Sequence, residues 1–128
     1  MKKIERRRTN KETFDIEGEK FEADTSVKKI KEAVLKGHKL QQIGKEIEEM
    51  SFDSSEEEIL KTIEEMEKAV EEATNFVFGE GAFEKLYKMA DEDIYIVADW
   101  LFQVVDHLYD KQQVEEEKRV AKYTKKKR

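Results

Sequence analysis

A helix stops and restarts within residues 76–87, which read Phe76-Val77-Phe78-Gly79-Glu80-Gly81-Ala82-Phe83-Glu84-Lys85-Leu86-Tyr87. Gly79 and Gly81 stand two positions apart, with large aromatic side chains on both sides. Glycine just past a helix accepts positive φ without a Cβ clash. We therefore expect one helix to end at residue 78, Gly79 and Gly81 to form a hinge, and a short helix to follow over about 82–90.

The helix before this hinge has the most regular apolar pattern in the chain. Ser54 and Glu57 have the spacing of a capping box, in which each side chain accepts a hydrogen bond from a free backbone N–H of the first turn. The apolar residues that follow recur at spacings of 3 and 4, which predicts one buried seam on a helix over about 54–78. They are Ile59, Ile63, Met66, Val70, Ala73 and Val77.

The last predicted helix, which follows the short one, is apolar over most of its circumference. Asp91 or Asp93 is expected to cap it, and its predicted range is about 92–115. A helix that is apolar nearly all round lies at the centre of a fold or at an interface. Its core stripe is Ile94, Val97, Leu101, Val104 or Val105, and Leu108, and the stripe is widened by Tyr95, Ile96, Trp100 and Phe102.

The N-terminal part reads as an arm followed by a β-hairpin. Residues 1–12 are expected to be disordered, whereas apolar residues alternate with polar ones around Gly18 over 13–24. An isolated two-stranded hairpin is marginally stable in water. We therefore expect Phe14, Ile16 and Phe21 to pack on the helices; the alternative is that the hairpin edge pairs with another chain.

A further helix is predicted over about 26–50, capped by Thr25 or Ser26. We expect a kink or break near Gly37, since glycine costs about 1 kcal/mol inside a helix. The predicted fold class is all-α, with antiparallel amphipathic helices and a short N-terminal β-hairpin. One helical domain would span 13–110, followed by a basic tail over 111–128.

Composition supports a small helical protein with unevenly distributed charge. The 128 residues carry a net charge of −6, 44% are charged, and there is no proline or cysteine. Residues 46–92 contain 16 acidic and 4 basic residues, a net charge of −12, whereas residues 118–128 contain 7 basic and no acidic residues. The longest apolar-rich run, residues 94–105, is too short to span a bilayer. The absence of cysteine excludes disulfides and thiol chemistry.

The sequence contains few candidate catalytic residues. His38 and His107 lack the spacing of helical metal-binding motifs. Asp106, His107 and Asp110 are close in sequence, but His107 points about 100° away from Asp106 around a helix. We expect a protein that is not an enzyme and that has no catalytic residues, metal site or cofactor.

The order of these features resembles the tail-assembly chaperones of long-tailed, siphovirus-like bacteriophages over about residues 13–128. The resemblance lies in the hairpin, the charged amphipathic helices, Phe78-Gly79-Glu80-Gly81, the short helix over 83–90, the aromatic-rich helix and the basic end. It implies a non-enzymatic binding protein that shields the helical tape-measure protein and helps recruit tail-tube protein during virion assembly. It also implies location in the cytoplasm of the bacterial host and absence from the mature virion.

Aromatic side chains near the hinge are the residues that we expect to contact such a client. The alternative for each is a place in the intrachain core. They are Phe76, Phe78, Phe83, Tyr95, Trp100 and Phe102, and the basic tail residues are Lys118, Arg119, Lys122, Lys125, Lys126, Lys127 and Arg128.

Two other functions remain open at this point. One is a nucleic-acid-associated helical regulator whose basic ends contact phosphates; such binding would weaken steeply with salt. The other is a homo-oligomeric helical module, in which the apolar surface of residues 94–105 would be a self-interface.

Overall fold

The computed structural model describes residues 1–5, 9–50 and 53–126. It confirms the predicted fold class, since four helices follow a two-stranded antiparallel hairpin. The elements in chain order are β1 (Lys11–Ile16), β2 (Glu19–Asp24), α1 (Val27–Glu49), α2 (Glu56–Phe78), α3 (Ala82–Met89) and α4 (Ile94–Lys126).

The hairpin is closed by a two-residue turn and packs on the helices. Glu17 and Gly18 have φ values of 50° and 89°, as a tight hairpin turn with the right strand twist requires. The Asp15 carboxylate accepts a 2.8 Å hydrogen bond from the Gly18 N–H. Ile16 and Phe21 are buried, which confirms the expected packing on the helices.

Helix α1 runs without interruption through Gly37, so the break predicted there is wrong. Ser26 caps it by accepting a 3.4 Å hydrogen bond from the Lys29 N–H. Gly37 is buried, and a Cβ built on it would lie 3.5 Å from Val105 of α4. Glycine has a low helix propensity, but packing of α1 against α4 stabilises the helix at this position. The helix is therefore continuous at Gly37.

Helix α2 begins at Glu56, two residues later than the predicted start at residue 54. Ser55, and not Ser54, is the cap, because its hydroxyl accepts a 3.2 Å hydrogen bond from the Glu58 N–H. The C-terminal part of the predicted seam is buried against the rest of the fold, whereas Ile59 and Ile63 are half-buried. The buried members are Met66, Val70, Ala73 and Val77.

The chain reverses between α2 and α3 through two residues with positive φ. Gly79 has φ 101° and ψ 165°, and its N–H donates to the Asn75 carbonyl at 2.8 Å. Gly81 has φ 87°. The Asn75 side-chain oxygen accepts a 3.0 Å hydrogen bond from the Phe83 N–H, which ties the start of α3 to the end of α2.

Helix α4 lies at the centre of the fold, in contact with the other three helices. Asp93 caps it by accepting a 3.0 Å hydrogen bond from the Tyr95 N–H. It reaches Lys126, further than the end near residue 115 that the sequence predicts, since no glycine or proline interrupts it there. Its buried residues are Ile94, Val97, Ala98, Leu101, Val104, Val105, Leu108 and Gln112.

The predicted basic tail coincides with the last turns of α4. Lys118 is exposed. Lys127 and Arg128 lie outside the described residues, and so do the side chains of Arg119, Lys122, Lys125 and Lys126. Within the described ranges, no helix combines the length and hydropathy that crossing a membrane requires.

Candidate functional site

Phe78 belongs to an aromatic cluster under the hairpin. Phe14 and Phe21 are opposite each other in the β1–β2 ladder, and their ring centroids lie 6.1 Å and 5.5 Å from that of Phe78. We call Phe14, Phe21 and Phe78 the hairpin cluster. The Phe14 ring meets that of Phe78 edge to face at an interplanar angle of 75°, a favoured aromatic geometry, and the Phe21 ring is tilted by 53° from that of Phe78.

Phe76 and Phe83 are partly covered by their own chain. The Lys29 and Lys36 ammonium groups lie 4.2 Å and 5.2 Å from the Phe76 ring centroid, within the range of cation–π attraction. Phe83 stacks on Tyr87 with centroids 5.2 Å apart. Both phenylalanines are half-buried and pack against the core.

The three remaining aromatic candidates lie on two faces of α4. Tyr95 and Phe102 are seven residues apart and therefore share a face, whereas Trp100 points elsewhere. Tyr95 is exposed, and Trp100 and Phe102 are half-buried. The structure thus does not bring the six predicted residues together into one surface.

Phe102 lies in a long groove between α1 and α4. The two helices are antiparallel, since Gly37 is beside Val105 and Val34 is beside Tyr109. Two adjoining cavities of about 530 and 230 Å³ share Val34 and Tyr109 in their walls. We call Val34, Leu35, Phe102 and Tyr109 the α1/α4 groove.

The α1/α4 groove contains two large side chains that sequence reasoning did not select. Leu35 is 68% exposed and Tyr109 is 46% exposed. Leu35 lies off the buried face of α1, so helical periodicity does not select it; that face consists of Ile30, Ala33, Gly37, Leu40 and Ile43. Tyr109 could have been found, because Tyr95, Phe102 and Tyr109 repeat at intervals of seven on one helix face.

Trp100 lines a second groove, between β1 and α4. The groove has a volume of about 580 Å³. We call this cavity the β1/α4 groove. Its apolar wall consists of Phe14, Ile16, Trp100 and Val104. Its polar rim carries Glu12, Thr13, Asp15, Glu17, Gln103 and His107.

His107 contacts the hairpin and not the acidic residues near it in sequence. Its Nε2 lies 2.9 Å from a Glu12 carboxylate oxygen, and its ring packs edge-on against Phe14 with centroids 5.5 Å apart. Lys111 reaches the other Glu12 oxygen at 3.4 Å. These contacts join β1 to α4 at one end of the β1/α4 groove.

The pKa of Glu12 is lowered from its usual value of 4.5. Burial raises it, but the hydrogen bond and positive charge of the protonated His107 ring, together with the charge and hydrogen bond of Lys111, outweigh that effect. A carboxylate that is hydrogen-bonded to a histidine ring and lies beside a lysine ammonium group is stabilised in its ionised form. The arrangement is therefore suited to holding the hairpin in place.

No protein-family model, curated protein or solved structure matches this chain. The residues that the structure describes contain no group of three or more His, Asp or Glu side chains arranged to hold a metal ion. The large apolar side chains that are most exposed on α1, α2 and the described part of α4 include Leu35, Leu60, Tyr95 and Tyr109.

Proposed function

We propose that this chain is a bacteriophage tail-assembly chaperone that binds and shields the tape-measure protein and helps recruit tail-tube subunits during virion assembly. The proposed place of action is the cytoplasm of the bacterial host, with the chaperone absent from the mature virion. The resemblance in sequence order motivates the proposal, and the open α1/α4 groove is the observation that carries it.

The shape of the groove suits a helical client. An amphipathic helix binds by laying its apolar face into an apolar groove, with anchor side chains one helical turn apart. The α1/α4 groove runs along two antiparallel helices, and its two cavities adjoin at Val34 and Tyr109. A tape-measure protein is an extended helix with apolar seams, and one such seam would cover Leu35 and Tyr109.

The charge of the protein suits a shielding role. The segment from residue 46 to residue 92 has a net charge of −12. Like charge on many copies bound along one client opposes aggregation of the complex. The apolar groove would then supply affinity while the acidic segment maintains solubility.

Binding to the tape-measure protein encoded nearest to this chain's gene tests the proposal. We expect Leu35→Glu with Tyr109→Glu to weaken binding at least about tenfold, a loss of about 1.4 kcal/mol, because each change places a charge in the apolar interface. Both side chains are substantially exposed, so folding should be retained; circular dichroism checks this.

Leu60→Glu is the matched control. Leu60 is 60% exposed on α2, so the substitution makes the same chemical change at similar exposure outside the groove. Affinity should stay within about twofold of the unmodified chain. Equal losses in both variants, or no binding by the unmodified chain, would contradict the proposal.

A further inference from the structure

Strand β1 has an outer edge with backbone groups available for pairing. In a hairpin with a two-residue turn, the residues next to the turn form a hydrogen-bonded pair, and such pairs alternate along the ladder. The backbone groups that bond to β2 are therefore those of Ile16, Phe14 and Glu12. The same alternation continues to Asn10, whose carbonyl accepts a 2.7 Å hydrogen bond from the N–H of Thr25, the residue after β2. The backbone groups of Thr13 and Asp15 point away from β2. Within the described residues the sheet has no third strand.

The β1/α4 groove lies along this edge. Its apolar wall includes Trp100, which is half-buried. A strand added to β1 would place alternate side chains over that wall, as in recognition by β-strand addition. The groove is open to solvent along the strand, so an extended segment can enter from the side.

The rim of the groove is acidic. Glu12 is already paired with His107 and Lys111. Asp15 and Glu17 are exposed, and among the described residues no cationic side chain forms an ion pair with either. An extended segment that carries cations beside an apolar residue would complement this rim and the Trp100 ring.

The first residues of the chain have this chemistry. Residues 1–8 contain five cationic residues, one acidic residue and Ile4. In an extended segment Lys3 and Arg7 point to the face opposite Ile4. Asp15 and Glu17 likewise alternate with Phe14 and Ile16 along β1 and lie on its exposed face, so an added strand can place cations beside these carboxylates while Ile4 faces Trp100.

Residues 1–5 do not occupy the groove of their own chain. Residues 1–5 are exposed, with Ile4 at 90%. Asn10 bonds to Thr25, which continues the β1–β2 ladder away from the turn. Neither Thr9 nor Asn10 has the positive φ of a tight reversal onto the outer edge of β1. The groove is therefore open to a segment from another molecule.

We propose that residues 1–8 of a second copy of this chain add to the outer edge of β1 in the β1/α4 groove. Ile4 of that copy packs against Trp100, and its cationic side chains pair with Asp15 and Glu17. Reciprocal exchange between two copies makes a closed two-fold dimer. The contact concerns only copies of this chain and does not depend on the proposed client.

Sedimentation of the full chain across concentration tests the exchange. We expect a monomer–dimer equilibrium at about 0.05 M salt that weakens at least tenfold at about 0.5 M, since screening shortens the reach of exposed charges. An arm variant, Lys3→Glu with Arg7→Glu, should be monomeric. A groove variant, Asp15→Asn with Glu17→Lys, should be monomeric too; asparagine retains an acceptor for the Gly18 N–H.

A control variant makes the same charge change on the other strand. Glu19→Lys with Asp24→Asn alters net charge as the groove variant does and leaves the β1 edge intact, so it should dimerise like the unmodified chain. Mixing the arm variant with the groove variant is a more specific test. The acidic arm of the first variant then meets the lysine in the groove of the second, and the basic arm of the second meets the acidic groove of the first. We expect the mixture to form a heterodimer although neither variant associates alone.

Trp100 provides an independent measurement, since it is the only tryptophan. A synthetic peptide of residues 1–10, added to the full-length arm variant, should shift its emission to shorter wavelength and should not do so with the groove variant. Thr13→Pro, which removes an outward N–H without affecting the ladder to β2, should also abolish dimerisation. A chain that stays monomeric at low salt, or one that dimerises equally with both charge variants, would overturn the proposal.

Discussion

The hairpin cluster and the α1/α4 groove are both built from large apolar side chains, but only the first is covered by its own chain. Phe21 is 6% exposed beneath the hairpin, whereas Leu35 is 68% exposed beside α4. The covering element explains the difference, because β1 and β2 close one side of the helical body and nothing within the described residues closes the other. The hairpin cluster therefore contributes to the stability of the fold, whereas the large side chains of the groove stay exposed.

Truncation of one side chain in each region tests this division most strongly. We expect Phe21→Ala to lower the free energy of unfolding by about 3–5 kcal/mol, because a buried ring in contact with Phe78 leaves a cavity. Tyr109→Ala in the groove should cost less than about 1 kcal/mol, as is usual for exposed positions. Urea denaturation measures both values. Similar losses of unfolding free energy in the two variants would contradict this difference between the regions.

Glycine substitutions test the same difference between the two regions at the backbone. Gly79 comes directly after Phe78 of the hairpin cluster and has φ 101° and ψ 165°, a backbone region populated almost only by glycine. Gly79→Ala should therefore lower the free energy of unfolding by about 1–3 kcal/mol. Gly37 lies in an ordinary helix at the floor of the groove, where a Cβ makes a normal 3.5 Å contact with Val105. Gly37→Ala should be neutral or stabilising by up to about 1 kcal/mol. Thermal unfolding distinguishes the two, and destabilisation by Gly37→Ala would show that the groove floor is packed more tightly than we infer.

The smallest effect is expected where charge holds the hairpin to α4. The folded-state pKa of Glu12 is below its usual value of 4.5. Its contribution to stability is therefore present above that value and is lost as the pH falls through the lowered folded-state pKa. Glu12→Gln should cost about 1 kcal/mol or less at neutral pH, as for other partly exposed pairs, and should flatten the loss of stability below pH 4.5.

Urea denaturation at a series of pH values measures this difference. Glu22→Gln is the control, because it removes a carboxylate from the same hairpin and leaves the Glu12–His107 contact intact. An unchanged acid profile for Glu12→Gln would indicate that the hairpin is held by its aromatic side chains alone.

Local sequence rules predicted much of the fold. Apolar spacing identified the buried residues of α4 and the hairpin alternation, and short-range capping chemistry gave Thr25 or Ser26 and Asp91 or Asp93 as candidate caps, of which the structure shows Ser26 and Asp93. Continuity at Gly37 escaped prediction because it depends on Val105, a residue distant in sequence. The shift of the α2 cap from Ser54 to Ser55 reflects two adjacent serines with equal capping ability.

The candidate site was less accessible to sequence reasoning. Aromatic character selected Phe76 and Phe78, but it could not show that lysines and the hairpin lie over them. Leu35 was missed because exposure depends on which helices are neighbours, and Glu12 was missed because its partner His107 is 95 positions away. Periodicity shows which residues of a helix share a face, whereas only tertiary packing shows which faces remain open.

The length of α4 has a consequence for how binding would affect the whole molecule. Its 33 residues span about 50 Å, and one continuous helix joins the buried centre of the fold to exposed turns at Glu117 and Lys118. Amide hydrogen exchange should therefore be slow near Leu101 and become progressively faster toward the C-terminal turns, where opening needs little free energy. A ligand that binds only the folded form of those last turns would slow their exchange and, through mass action, raise the stability of the core at the other end.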